Sequence, residues 1–201
     1  MNDMNVPNKI TIVRLALTPL FFISFFLPIW ISPSLSSISA LLMLILWALI
    51  EISDLADGFI ARRYKLVTDL GKVLDPFSDT LARLTYFVCL ISVSVMPVWV
   101  FIIIMYREFS IIFLRMLMMK TGKTVAANNW GKAKAVMYAI SGIAGILYVS
   151  VSRLVENQDW MIIVDPIILT LFVLTAFASI ISFVTYLIAM FKGKALSSLT
   201  R

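Results

Sequence analysis

With 201 residues, 61% of them hydrophobic, and a mean hydropathy of +0.99, the chain is not a water-soluble globule. It reads as one integral membrane domain over residues 1–201, with no room for a separate soluble module. The lack of histidine, with Cys89 the only cysteine, excludes zinc and copper centres. The net charge of +6 has no basic soluble module to carry it, which sets nucleic acid aside in favour of anionic lipids or substrates.

Residues 1–11 are polar, and no small-residue cleavage site follows the first apolar run, so no removable signal peptide is expected. Six segments are long enough to cross a hydrocarbon core of about 30 Å as helices. They lie near residues 11–31, 37–63, 70–95, 97–120, 130–155 and 161–191. Pro7, Pro28, Pro33, Pro97 and Pro166 fall near proposed ends or first turns, where proline is tolerated. Pro76 marks either the true first turn of the third helix or a local bend. Cys89 reads as a small core residue, and Ser141-x-x-x-Gly145 as a packing face within one subunit or between two.

Basic residues set the orientation. Lys9, Arg14, Arg62, Arg63, Lys65, Lys72, Lys120, Lys123, Lys132, Lys134, Lys192, Lys194 and Arg201 cluster at one set of helix ends. The opposite set has Arg153 with Glu156, Asp159 and Asp165. The positive-inside rule then predicts six crossings with both termini cytoplasmic.

Against that apolar background stand Asp54-x-x-Asp57-Gly58-x-x-Ala61-Arg62 and, eight residues later, Gly71-x-x-x-Asp75-x-x-x-Asp79. Spacings of i,i+3 and i,i+4 put each acid pair on one helix face. Carboxylates in or near a bilayer are expensive, and four brought together repel unless a cation lies among them. An all-oxygen donor set suits Mg²⁺ or Mn²⁺, with Ca²⁺ possible, and Mg²⁺ completes its shell with water and substrate phosphates. Gly58, Ala61 and Gly71 leave smooth strips where a ligand could approach the backbone; small-residue helix packing alone leaves the acids unexplained.

This stretch resembles the signature of the CDP-alcohol phosphotransferase family, with Asp54, Asp57, Gly58, Ala61, Arg62, Gly71, Asp75 and Asp79 all matching. The resemblance implies a six-helix membrane bundle, commonly a homodimer, with two ions held by Asp54, Asp57, Asp75 and Asp79. It implies a CDP-linked donor whose diphosphate bridges the ions, and Asp79 as general base for the attacking hydroxyl. Gly58, Ala61, Arg62 and Gly71 would line the donor pocket, joined by Asn8 and Thr11. Physical chemistry agrees, since in-line displacement at phosphorus needs charge neutralised on attacking and leaving oxygens.

A second constellation is cationic. Arg107 and Arg115 are eight residues apart, about two turns, and read as one face of the fourth helix, with Glu108 pointing elsewhere around it. They are read as a pocket for an anionic group, whereas Lys120, Lys123 and Lys134 are read chiefly as snorkelling cations. Pro7-Asn8-x-x-Thr11-x-x-Arg14, Arg107-Glu108-Phe109 with Arg115, and Ala127-Asn128-x-Trp130-Gly131-Lys132-x-Lys134 resemble bacterial phosphatidylglycerophosphate synthases. That likeness implies CDP-diacylglycerol as donor and glycerol-3-phosphate as acceptor, its phosphate gripped by Arg107, Arg115, Lys132 and Lys134. Where such synthases carry lysine and threonine, this chain has Thr80 and Ala135, and Arg83 is the candidate to replace the missing charge. Inositol phosphate is the alternative acceptor. A divalent-cation transporter is the alternative of another class, opposed by acids near one membrane face and by the lack of paired interrupted helices.

Overall fold

The computed structural model describes residues 5–64, 68–120 and 129–192. Among these, six α-helices follow one another: α1 (Val6–Trp30), α2 (Ser36–Arg63), α3 (Asp69–Ser92), α4 (Val98–Lys120), α5 (Asn129–Leu154) and α6 (Met161–Lys192). A single 3-10 turn, Pro33–Leu35, joins α1 to α2. Among the described residues, four stretches are long and apolar enough to cross a membrane: Val6–Trp30, Pro33–Ala61, Trp130–Leu154 and Met161–Phe191. The other two helices are richer in charge, with Asp75, Asp79 and Arg83 on α3 and Arg107, Glu108 and Arg115 on α4. The chain is an all-α integral membrane protein.

It forms two compact units. The first comprises Met1–Val93 with Gly145–Trp160, and the second Ser94–Ala144 with Met161–Arg201.

In the first unit α1 packs against α2 and α3. The buried face of α1 carries Asn8, Thr11, Arg14, Thr18 and Ser24 beside Phe21 and Phe25. Its exposed face carries Val13, Leu20, Ile23, Ile29 and Trp30. This reverses the pattern of a helix on a soluble protein. Hydrocarbon outside and hydrogen-bonded polar groups inside is the arrangement a bilayer imposes.

The α1 helix begins five residues before the expected start at residue 11. Asn5 caps it by accepting from the Asn8 N–H at 3.2 Å, and Pro7 sits in the first turn, where no helical N–H is needed. Pro76 lies inside α3 and not at its start, because Thr68 caps that helix through the Gly71 N–H at 3.0 Å. At the other end of the unit, Arg153 donates to the Phe25 carbonyl (3.0 Å) and Ser39 Oγ (2.6 Å), tying α5 to α1 and α2. Cys89 is fully buried, as expected of a core residue.

In the second unit α4 packs against α6. Tyr138 on α5 and Ser179 on α6 share a buried hydrogen bond of 2.8 Å, and Met118 of α4 packs with Met190 of α6.

Candidate active site

The first unit brings all four aspartates onto one constellation, and α1 supplies the groups that join them. Arg14, 1% exposed, directs Nη1 to Asp54 Oδ1 at 2.7 Å and to Asp79 Oδ1 at 3.6 Å, and Nη2 to Asp57 Oδ2. The Arg14 Nε donates to Ser53 Oγ and Nη1 to Ser78 Oγ, each at 3.3 Å. Thr11 Oγ1 lies 3.1 Å from Asp57 Oδ2, 3.0 Å from Asp75 Oδ1 and 3.2 Å from the Pro7 carbonyl, so its one proton is shared among these acceptors. Both faces predicted from spacing are present, the acids of α2 and α3 meeting over the polar stripe of α1.

The four acids are not equivalent. The Asp57 side chain is 4% exposed, whereas Asp54 is 43% and Asp79 38% exposed. Asp57 and Arg14 form the buried floor, and Asp54 and Asp79 stand at its open side. Asp79 Oδ2 also accepts from Arg83 at 3.3 Å, one helical turn on. Arg83, expected to replace a missing acceptor charge, therefore pairs with the aspartate expected to act as base.

Behind the acids, Asn8 Nδ2 donates to Thr68 Oγ1 at 3.2 Å, so α1 holds the cap of α3. A Cβ on Gly71 would stand 3.1 Å from Asn8 Oδ1 and 3.2 Å from Thr68 Oγ1, which explains glycine there. Asn8 and Thr11, expected in the donor pocket, are buried and engaged with Thr68 and the aspartates. Gly58 and Ala61 are partly exposed on α2, while the side chain of Arg62 lies outside the described residues.

Eight carboxylate oxygens with no nitrogen or sulfur donor among them suit a hard divalent cation. Among the described residues no three acids stand around one point as a ready cage. A guanidinium occupies the centre instead. Arg14 entered the sequence reading through the charge asymmetry and the Pro7-Asn8-x-x-Thr11-x-x-Arg14 motif, not as a partner of the acids. The signal was available, since Asn8, Thr11 and Arg14 recur at three-residue intervals as polar positions on an apolar helix.

The cationic residues of the second unit divide. Glu108 Oε1 accepts from Arg107 Nη1 at 2.8 Å and from Lys134 Nζ at 2.7 Å, all three side chains being buried. Arg107 Nη2 donates to Ser182 Oγ at 3.0 Å, and Lys134 Nζ lies 4.2 Å from the centre of the Tyr138 ring. Two expectations are corrected. Glu108 does not point away from Arg107, because the long arginine side chain folds back onto its neighbour. Lys134 does not snorkel at the membrane edge, because a buried carboxylate from α4 holds it. Arg115 and Lys132 are exposed, so the four cations expected around one phosphate are two paired and buried, two on the surface.

Comparison with known proteins gives this arrangement its context. The family described as CDP-alcohol phosphatidyltransferase matches residues 4–172, which include the polar stripe of α1, the four acids and Arg107, Glu108 and Lys134. A Bacillus subtilis protein named CDP-diacylglycerol–glycerol-3-phosphate 3-phosphatidyltransferase is 37% identical over 146 residues, 69% of this chain and 76% of that one. A Treponema pallidum protein of the same name is 29% identical over 194 residues, 94% and 90% of the two chains. A Streptomyces coelicolor protein named cardiolipin synthase (CMP-forming) is 36% identical over 105 residues, 52% of this chain and 47% of that one. The signature acids of α2 and α3, assembled on one side of α1, are thus those of a transferase, and the chain belongs to the CDP-alcohol phosphatidyltransferase family.

Proposed function

We propose that this protein transfers the phosphatidyl group of CDP-diacylglycerol to glycerol-3-phosphate, releasing CMP, at the cytoplasmic face of the cell membrane. The observation that carries the reading is the convergence of Asp54, Asp57, Asp75 and Asp79, two of them open to an incoming substrate. The names of the Bacillus and Treponema relatives supply the donor and acceptor.

Two Mg²⁺ or Mn²⁺ ions, bound by the four acids, would neutralise charge on the donor diphosphate as the acceptor oxygen attacks and CMP leaves. The protein's own residues do the rest. Asp79, at the opening of the cluster, takes the proton of the attacking hydroxyl. Asp57 and Thr11 hold the floor and fix Asp75. Gly58, Ala61, Arg62 and Gly71 line the nucleotide end of the donor. Arg115 and Lys132, exposed in the second unit, offer positive charge for a phosphate group, the arginine as a planar bidentate donor. The basic helix ends face the cytoplasm, and the protein works as a homodimer, which light scattering in detergent would test.

Purified protein with CDP-diacylglycerol and a panel of labelled acceptors tests the reading. Expected are phosphatidylglycerophosphate from glycerol-3-phosphate, dependence on Mg²⁺ or Mn²⁺, and loss with chelator. Product only from inositol phosphate, or cardiolipin from phosphatidylglycerol, would transfer the chain to another member of the family. Undiminished CMP release in excess chelator, with no residual metal bound, would remove the two-ion site.

A further inference from the structure

The aspartate cluster has a charge problem that the assigned reaction does not by itself resolve. Among the described side chains, Asp54, Asp57, Asp75 and Asp79 carry four negative charges, while Arg14 and Arg83 return two. Arg14 is buried, and its guanidinium spans Asp54, Asp57 and Asp79 at once. The acids it touches are the ones that would have to receive incoming ions.

We propose that Arg14 is a resident counter-ion of the metal site: it holds the acids of α2 and α3 together before the ions arrive, then yields Asp54 and Asp79 to them. This rests on the two-ion reading above. Asp57 is the partner it keeps, because both groups lie on the buried floor and Ser53 and Ser78 hold the same guanidinium there. Asp54 and Asp79 are the partners it releases, because they are open to solvent and Asp79 is held at the longer distance, 3.6 Å. Without such a cation the empty site would set four carboxylates against one another inside an apolar bundle. With one, ion binding competes with an internal salt bridge, and affinity is set by that competition. Arginine suits the task because its planar fork reaches several acceptors simultaneously, which a lysine ammonium cannot do from one position.

The test uses the full-length protein in detergent micelles, with Mn²⁺ binding followed by the EPR signal of free Mn²⁺ and thermal unfolding followed by tryptophan fluorescence. In Arg14→Gln, removal of the competing charge should tighten Mn²⁺ binding by about tenfold or more. Its melting temperature should fall in chelator and recover most of the difference at saturating Mn²⁺. A residue that only packed the bundle would lower stability equally with and without the ion and leave affinity unchanged. Arg14→Lys, which keeps a charge but grips fewer acids, provides a second measure: it should bind Mn²⁺ more tightly than the parent while melting nearer to it in chelator. Unchanged or weaker Mn²⁺ binding in both variants, with the parent binding normally, would overturn the counter-ion role alone. No Mn²⁺ binding by the parent would overturn the two-ion reading and this inference with it.

Discussion

Glu108→Gln is the perturbation that asks most of the second unit. Glu108 Oε1 receives two cationic donors, Arg107 Nη1 at 2.8 Å and Lys134 Nζ at 2.7 Å, with side-chain exposures of 7%, 9% and 8% for Glu108, Arg107 and Lys134. Glutamine keeps the shape and one carbonyl acceptor but leaves two buried cations without their shared anion. Removing one partner of a buried ion pair costs about 3–5 kcal/mol, and the retained carbonyl places this substitution at about 3 kcal/mol. For a chain of this size that is a fall of about 6–12 °C in melting temperature. If Arg107 and Lys134 also receive the acceptor phosphate, the ligand replaces the lost anion. Glycerol-3-phosphate or inorganic phosphate should therefore raise the melting temperature of Glu108→Gln by several degrees more than that of the parent. Differential scanning fluorimetry across a phosphate titration reads both effects. A fall of less than about 2 °C would mean the cations find other acceptors, and equal phosphate shifts in both proteins would remove the phosphate from this pocket.

Three further predictions concern the reaction. Asp79→Asn should lower turnover by about 10²–10⁴-fold while donor binding persists, because the amide cannot accept the hydroxyl proton; a change of only a few fold in a single-turnover assay would take the base role from Asp79. Arg115→Ala should leave stability within about 0.5 kcal/mol, the side chain being exposed, yet lower acceptor kcat/KM by about tenfold to a hundredfold; a fall in donor affinity instead would assign Arg115 to the lipid substrate. Gly71→Ala gains about 1 kcal/mol of helix propensity and gives up about as much at the Thr68 cap, so its melting temperature should change little. Its activity should still fall, since the new Cβ presses on Asn8 and Thr68 and lies 3.9 Å from Asp75; parent-like activity would mean the cradle yields without disturbing the acids.

What could be read in the sequence is what local spacing encodes. The i,i+3 and i,i+4 acid pairs fix two helix faces whatever the tertiary structure, and apolar runs fix the helices that carry them. The joining of those faces lies elsewhere, in contacts across 40 and 43 residues between Arg14 and the two acids of α2. Periodicity within one helix carries no information about which cation a neighbouring helix presents. The same limit explains Lys134, whose near-terminal position in α5 suggested snorkelling until Glu108, 26 residues away, supplied a buried partner. Arg107 and Arg115 erred differently: eight residues at about 100° each leave an offset of about 80°, enough to bury one and expose the other.

The polar content of this bundle follows from its solvent. In water, a helix with Asn8, Thr11, Arg14, Thr18 and Ser24 on one side would turn that side outward, and Leu20, Ile23 and Ile29 would form the core. In a bilayer the apolar side costs nothing to expose, and the polar side has to find partners inside the protein. The strongest available partners of Arg14 are carboxylates, so a helix with no acid of its own among its described residues becomes the one that gathers the acids of two others. Fold and site thus depend on one residue for related reasons. Arg14 satisfies its buried charge with Asp54, Asp57 and Asp79, and those acids remain assembled for chemistry because Arg14 cannot leave them without an equivalent charge taking its place. On the two-ion reading a divalent ion is such a charge, and the cluster is then most ordered when it is either closed on its arginine or filled.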